Sequence, residues 1–402
     1  MLTVRPRVRH DGSGCTADVR LHGLRRSERS EIFFRLEGPD SAKASPNGNF
    51  AILAALPIAM ERGMPLHCDG EADADFLENI EECVAAWCRW RPDLFKPIRI
   101  SAALEVAPAV ASPGSAIIAF SGGLDSTYAL HAHKHRLLGR RVRDIDAAVL
   151  IHGYDVPLTE KRAFGIARRH VQAVLDTYGV RLNVVQTNWK DSFCVKWGMT
   201  HVFGITAVLQ LFNGQFSAGI FADDTPYEHQ LTPWSSNAIT NQMLGSARFP
   251  VRSSGAAVDR TEKAGAVASN PAVLENLRVC YERPELGDNC GACEKCIRTK
   301  LNFYANGVRS VPALKTPVTA EQIRTKCALN PRIRHLYADT IEHGAWPPSD
   351  PVRRAVEDLL RAYDERAGLA GRSLASPVGS TIKKLRRAAL ARLQSVIQGH
   401  KG

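Results

Sequence analysis

Three absences narrow the reading of this 402-residue chain. No Gly-Lys-Ser or Gly-Lys-Thr triplet occurs, so there is no Walker loop of the kind that handles a γ-phosphoryl group. No apolar run approaches the roughly 20 residues needed to cross a bilayer. The opening Met-Leu-Thr-Val-Arg-Pro-Arg-Val-Arg-His lacks the apolar core of a signal peptide, which leads to the expectation of a cytoplasmic protein. What is present is 45% hydrophobic and 23% charged, the make-up of a soluble globular protein with length for two or three domains. Ten cysteines in a reducing compartment fit metal binding better than disulfides. The formal net charge of +11 fits a polyanionic ligand such as nucleotide, nucleic acid or anionic lipid, although part of it lies in the C-terminal tail.

One stretch organises the chain: Ser121-Gly122-Gly123-Leu124-Asp125-Ser126-Thr127. The apolar Ala116-Ile117-Ile118-Ala119-Phe120 before it reads as a buried parallel strand, and the Ala- and Leu-containing segment after it reads as a helix. Strand, glycine turn and helix together form a phosphate-binding geometry. The glycines let oxygen atoms approach the backbone, and the opening amides of the helix have no internal partner and carry its positive dipole end. Ser121, Ser126 and Thr127 add hydroxyls, and Asp125 either holds a magnesium ion or steers the amides. The segment resembles the PP-loop, S-G-G-x-D-S, of the ATP pyrophosphatases, which cleave ATP to AMP and pyrophosphate. That resemblance implies an ATP site over residues 121–127, with Ser121, Asp125 and Ser126 in catalytic roles.

Residues 1–112 read as a separate α+β unit. Strand-like segments occupy 16–22, 31–37 and 97–102; 51–59 is apolar and fits either strand or buried helix; 75–90 carries Phe76, Ile80, Val84 and Trp87 at helical spacing. Gly12-x-Gly14-x-x-Ala17 precedes a strand rather than a helix, so it is no dinucleotide fingerprint. The roles expected of this unit are packing, homo-oligomer formation or shaping a substrate pocket, with 106–115 as a linker.

From residue 113 to about 310 the pattern becomes α/β. Strands are expected at 145–155 (ending in a polar loop), 181–188 and 215–222, with helices at 159–178 and 199–212, which implies a parallel sheet. Ligands on such sheets lie at the carboxyl ends of the strands. That rim holds 121–126, 152–155 (His152 and Tyr154 being nucleotide-contact candidates), Asn188 and 222–224. The polar, turn-rich segments 223–237 and 252–263 read as substrate loops, with Asp223, Asp224, His229, Trp234, Asn237, Arg260 and Lys263 as candidates for recognition or magnesium binding.

The second strong signal is four thiols within seventeen positions: Cys280, Cys290, Cys293 and Cys296. Cys-x-x-Cys turns bring two sulfurs to one ion, Gly291 suits the knuckle, and four soft ligands close a tetrahedral zinc site, making the metal structural. An iron–sulfur cluster is the lesser alternative. Lys295, Arg298 and Lys300 either offset the thiolate charge or face a phosphate. The other cysteines read as small core residues.

Together, the S-G-G-x-D-S loop and C-x9-C-G-x-C-x-x-C-x-R resemble the 7-cyano-7-deazaguanine synthase family of queuosine biosynthesis, over about residues 115–310. The resemblance implies an adenine nucleotide alpha hydrolase-like domain with ATP, Mg2+ and structural Zn2+. The implied reaction is adenylation of a deazapurine-like carboxylate, followed by amide and nitrile formation. The family's Tyr-Pro-Asp-Cys-Arg-like purine-reading stretch is absent here, and 223–241 stands in its place. Longer relatives in antiviral operons are similar in size, which leaves a macromolecular acceptor or a nucleotide-binding subunit as alternatives. A tRNA sulfur transferase with the same loop is another, with Cys194 as its spare thiol. Residues 311–402 read as a helical extension, including 351–367 with Val352, Ala355, Leu359 and Ala362 on one face. The basic amphipathic segment 381–398 would bind an anionic partner or dock on its own domain.

Overall fold

The computed structural model describes residues 1–11, 14–25, 27–111, 114–230, 233–342 and 346–368. The basic segment 381–398 lies outside the described residues. Strands β1 (Leu2–Asp11), β2 (Gly14–His22) and β3 (Glu31–Glu37) precede helix α1 (Asn49–Arg62), β4 (Leu66–Asp73), α2 (Ala74–Trp90) and β5 (Ile100–Val106). An alternating series follows: β6 (Ala116–Ala119), α3 (Leu124–Lys134), β7 (Ile145–His152), α4 (Lys161–Thr177), β8 (Arg181–Thr187), α5 (Trp189–Phe193), α6 (Trp197–Gln210), β9 (Gly219–Ala222) and β10 (Val251–Ser254). Helices complete the chain: α7 (Arg260–Val267), α8 (Pro271–Asn276), α9 (Glu294–Ala305), α10 (Ala320–Lys326), α11 (Arg334–Glu342) and α12 (Pro351–Arg366).

All ten strands join one mostly parallel sheet, in the order β10-β9-β6-β7-β8-β3-β2-β1-β4-β5. The five strands from β10 to β8 pair in parallel, as the alternation with helices requires. β3 then pairs antiparallel with β8, Phe34 opposite Thr187 and Leu36 opposite Val185. Residues 1–106 therefore extend the central sheet through the β3–β8 pairing. Asn188 clamps the junction: its Oδ1 accepts from the Phe33 amide (3.0 Å) and its Nδ2 donates to the Glu31 carbonyl (3.0 Å).

The apolar residues segregate by face. Phe50, Leu53 and Leu56 of α1 and Phe76, Ile80, Val84 and Trp87 of α2 share one cluster with Phe203 and Leu209 of α6, so the first hundred residues and the central strands bury a common core. The run at 51–59 is thus helical, with every residue from Asn49 to Met60 buried. Asp73 ties these parts together, accepting from Asn47 (3.0 Å), Asn49 (3.1 Å) and Ser246 (2.8 Å). The opposite face packs α3, α4 and the cysteine segment. A third cluster joins α9 to α10, α11 and α12. In α12 the buried residues are Val352, Ala355, Val356 and Leu360, while Ala362 is exposed. The packed face is therefore rotated from the expected one, because α12 rests on α10 and α11. Among the described residues, no helix is long and apolar enough to cross a membrane.

Candidate functional site

β6 ends at Ala119, and the chain turns through Ser121, Gly122 and Gly123 into α3. Gly122 has φ +75°, and a Cβ there would stand 2.9 Å from Val171 Cγ2, so two independent constraints select glycine. The turn is fastened from behind, where the Arg278 amide donates to the Gly122 carbonyl (2.9 Å). Ser126 Oγ donates to the Gly123 carbonyl (3.0 Å) and lies 3.3 Å from Ser121 Oγ. Gly123 occupies the N-cap position, where no side chain caps the helix, so the opening amides of α3 are left for another acceptor.

Asp125 accepts from two buried cations. Lys263 Nζ donates to its Oδ1 (3.0 Å), and Arg260 Nη2 lies 3.1 Å from its Oδ2. Burial acts to raise the Asp125 pKa, but Arg260 and Lys263 outweigh it and hold the carboxyl below its usual value. With both oxygens engaged by cations, this carboxylate does not fit the role of a magnesium ligand; it aligns α7 on α3 instead. Lys263 also donates to the Asp223 carbonyl (2.6 Å). The Asp223 carboxyl is pushed up to about 6 by burial, against the pull of Lys263.

The turn opens onto a cavity of about 240 Å3 at the carboxyl ends of the parallel strands. Its lining includes the polar Ser121, Asp125, Ser126, Asp155, His201, Asp224, Arg278 and Lys295 and the apolar or aromatic Ile151, Tyr154, Trp197, Ile205 and Phe221. Arg278 Nη1 lies 3.7 Å from Asp155 Oδ2, and its buried Nε has no hydrogen-bond partner among the described residues. Burial lowers the Lys295 pKa, with Asp155 opposing. The cavity thus combines cationic and hydroxyl groups with apolar and aromatic side chains, a lining suited to a ligand with an anionic part and a planar part.

The expected site residues separate into groups. Tyr154, Asp155 and Asp224 line the cavity with the glycine turn. Trp234 Nε1 donates to Asp224 Oδ2 (3.0 Å), and the Arg332 guanidinium stacks 3.7 Å above the Trp234 ring, so the loop after β9 folds over this end. His152 is not among the lining residues: it stacks on Phe164 at 4.0 Å, and its Nε2 lies 3.0 Å from the Pro157 carbonyl oxygen. Leu124 and Thr127 are fully buried and are not among the lining residues, and the Thr127 amide donates to the Gly123 carbonyl (2.9 Å). Asn237 closes its own turn through Trp234 and Thr240, and His229 stacks on His335 at 4.0 Å. Cys194 is half-buried, and burial raises its thiol pKa, which opposes a thiolate role. Arg278 carries chemistry that sequence reasoning passed over; its only signal was its position two residues before Cys280.

Cys280, Cys290, Cys293 and Cys296 place all four sulfurs within 4.8 Å of one another. Cys280 to Cys293 is 3.8 Å and Cys290 to Cys296 is 4.0 Å. A tetrahedron with metal–sulfur bonds of about 2.3 Å has edges of about 3.8 Å, so the cluster could hold a metal ion such as zinc. Gly291 takes φ +74° at the knuckle, where Lys300 Nζ donates to its carbonyl (2.6 Å). The amides of Ala292 and Cys293 point at Cys290 Sγ, and Asn289 anchors the approach by accepting from the Val279 and Cys280 amides. The three basic residues here serve different ends. Lys300 supports the knuckle, Arg298 pairs with Glu294 (2.7 Å), and Lys295 faces the cavity. Comparison with protein-family models, with curated proteins and with solved structures finds no match to the chain.

Proposed function

We propose that this chain is an ATP-dependent synthase that activates a carboxylate or amide as its adenylate, releasing AMP and pyrophosphate, in the manner of 7-cyano-7-deazaguanine synthase. The observation that carries this reading is the start of α3 behind Gly122, with no side-chain cap, beside a cavity that Ser121, Asp125, Ser126, Arg278 and Lys295 line together. In this reading the amides of Asp125 and Ser126 and the Ser121 hydroxyl, all from residues that line the cavity, hold the leaving diphosphate. Arg278 and Lys295 offset the charge that builds on it as the acceptor oxygen attacks the α-phosphorus. Asp125 positions: with Arg260 and Lys263 it fixes the pitch of α3. Tyr154, Trp197 and Phe221 supply the surface for a planar base or acceptor. No step is assigned to magnesium, Asp125 being already paired with Arg260 and Lys263. The thiol cluster is read as a structural zinc site that holds the segment carrying Arg278 and Lys295 against the turn.

Product analysis tests this reading. Incubation with α-labelled ATP, ammonium and 7-carboxy-7-deazaguanine should yield labelled AMP and the nitrile by mass spectrometry. AMP without the nitrile would keep the adenylation chemistry and redirect the acceptor to a macromolecule; release of ADP would end the proposal.

A further inference from the structure

The first 35 residues hold eight arginines, no lysine and four acidic residues. Strand pairing shows where five of these arginines lie. Arg5, Arg7 and Arg9 alternate along β1 with the buried Leu2 and Val4, and are exposed. In the register of the sheet Arg5 stands opposite Arg20, Arg7 opposite Asp18 and Arg9 opposite Thr16. On β3, Phe33 stands opposite Asp18 and Arg35 opposite Thr16. All of these occupy one face, because the alternate residues Val4, Ala17, Val19, Ile32 and Phe34 are buried in the core beneath α1 and α2. The outer face of β1, β2 and β3 is therefore an open platform of five arginines around a half-buried phenylalanine.

We propose that this platform binds single-stranded nucleic acid. Like charges directly opposite on neighbouring strands weaken a sheet, so the Arg5–Arg20 juxtaposition has a cost that an anionic ligand would relieve. Asp18 pairs with Arg9 and Asp69 with Arg5, while Glu31 stands opposite Arg20. Arg7 and Arg20 make no ion pair among the described residues and remain available to phosphates. Alternate residues of a strand stand about 7 Å apart, close to the spacing of phosphates along an extended single strand. The Arg35 guanidinium lies 4.7 Å from the Phe33 ring centroid, a basic and aromatic pair of the kind on which bases stack. Arginine, with its planar fork, suits phosphate better than lysine does. The chain's own C-terminal stretch is excluded as the occupant by its like charge, with Lys383, Lys384, Arg386 and Arg387 in sequence.

The test is fluorescence anisotropy with a labelled oligouridylate of about 20 nucleotides, using the full chain. Wild type should bind, more weakly as salt rises. The Arg7→Gln, Arg20→Gln double variant, which sets no new carboxylate opposite Asp18 or Glu31, should bind at least about tenfold more weakly, with a smaller salt slope, while its melting temperature does not fall. Phe33→Ala should weaken binding about fivefold or more. Absence of binding at low salt, or binding that the double variant leaves intact, would overturn the proposal. So would competition by polyglutamate or by phosphatidylserine vesicles as strong as that by unlabelled RNA. Because these residues lie outside the cavity, none of these results depends on the adenylation reading.

Discussion

Lys263 Nζ sits 3.0 Å from Asp125 Oδ1 and 2.6 Å from the Asp223 carbonyl oxygen, so one fully buried ammonium links the start of α3 to the end of β9. Removing one partner of such a pair leaves a buried charge poorly compensated, at a cost of about 3–5 kcal/mol. Lys263→Met should therefore lower unfolding stability by that order in a urea melt. A loss below about 1 kcal/mol would mean that Arg260 alone satisfies Asp125.

The Asp223 carboxyl gives a pH dependence of known sign. Burial raises its folded-state pKa from 3.8 to about 6, so the folded chain holds this proton more tightly than the unfolded one. The associated stability is present in full below about pH 4 and is lost as pH rises through about 6. Asp223→Asn should consequently stabilise the protein at about pH 8, by as much as about 3 kcal/mol, and confer no gain near pH 4. Thermal melts of both proteins across that range check this; an equal difference at both ends would contradict it.

At the glycine turn the two glycines should respond differently. Ala at 122 must accept φ +75° and a Cβ 2.9 Å from Val171, whereas Gly123 has φ −79° and its Cβ would meet Ser121 Oγ at 3.3 Å and the Arg278 carbonyl oxygen at an ordinary 3.5 Å. Gly122→Ala should cost about 1–2 kcal/mol and depress AMP release strongly, and Gly123→Ala should be the milder change in stability. Parallel melts and product assays distinguish them, and equal penalties would argue against the left-handed turn.

For the thiol cluster, elemental analysis of the purified chain should find about one metal ion per chain, zinc being expected. Cys293→Ser, or treatment with a strong chelator, should release the ion and lower the melting temperature, since metal binding contributes directly to folding. A visible charge-transfer absorption with stoichiometric iron would replace zinc by an iron–sulfur cluster.

The parts of this protein legible in its sequence were those governed by local rules. The glycine turn declared itself through the apolar Ile117-Ile118 before it and the helix-forming residues after it, and the cysteines through their spacing. Phe76, Ile80, Val84 and Trp87 marked α2 by period alone. What escaped was set by distant partners. β10 is only four residues long with a single buried apolar residue, Val251, and is a strand because β9 offers it a free edge. β1 was obscured by Pro6 and three exposed arginines, although Leu2 and Val4 are fully buried. The continuity of the sheet across β3 and β8 depends on a pairing of residues about 150 positions apart, which no local pattern encodes. The same holds for Arg278, and for the pairing of Arg260 and Lys263, themselves named as candidates, with Asp125, since folding alone decides which of many basic residues arrive at the turn.

Isothermal titration of ATP into the wild-type chain, with and without saturating pyrophosphate, is the most direct test of whether the turn at 121–126 grips a nucleotide's diphosphate. ATP should bind, and pyrophosphate should displace it by occupying the same amides. ATP binding that pyrophosphate leaves untouched, or no ATP binding at all, would contradict the assignment of this turn.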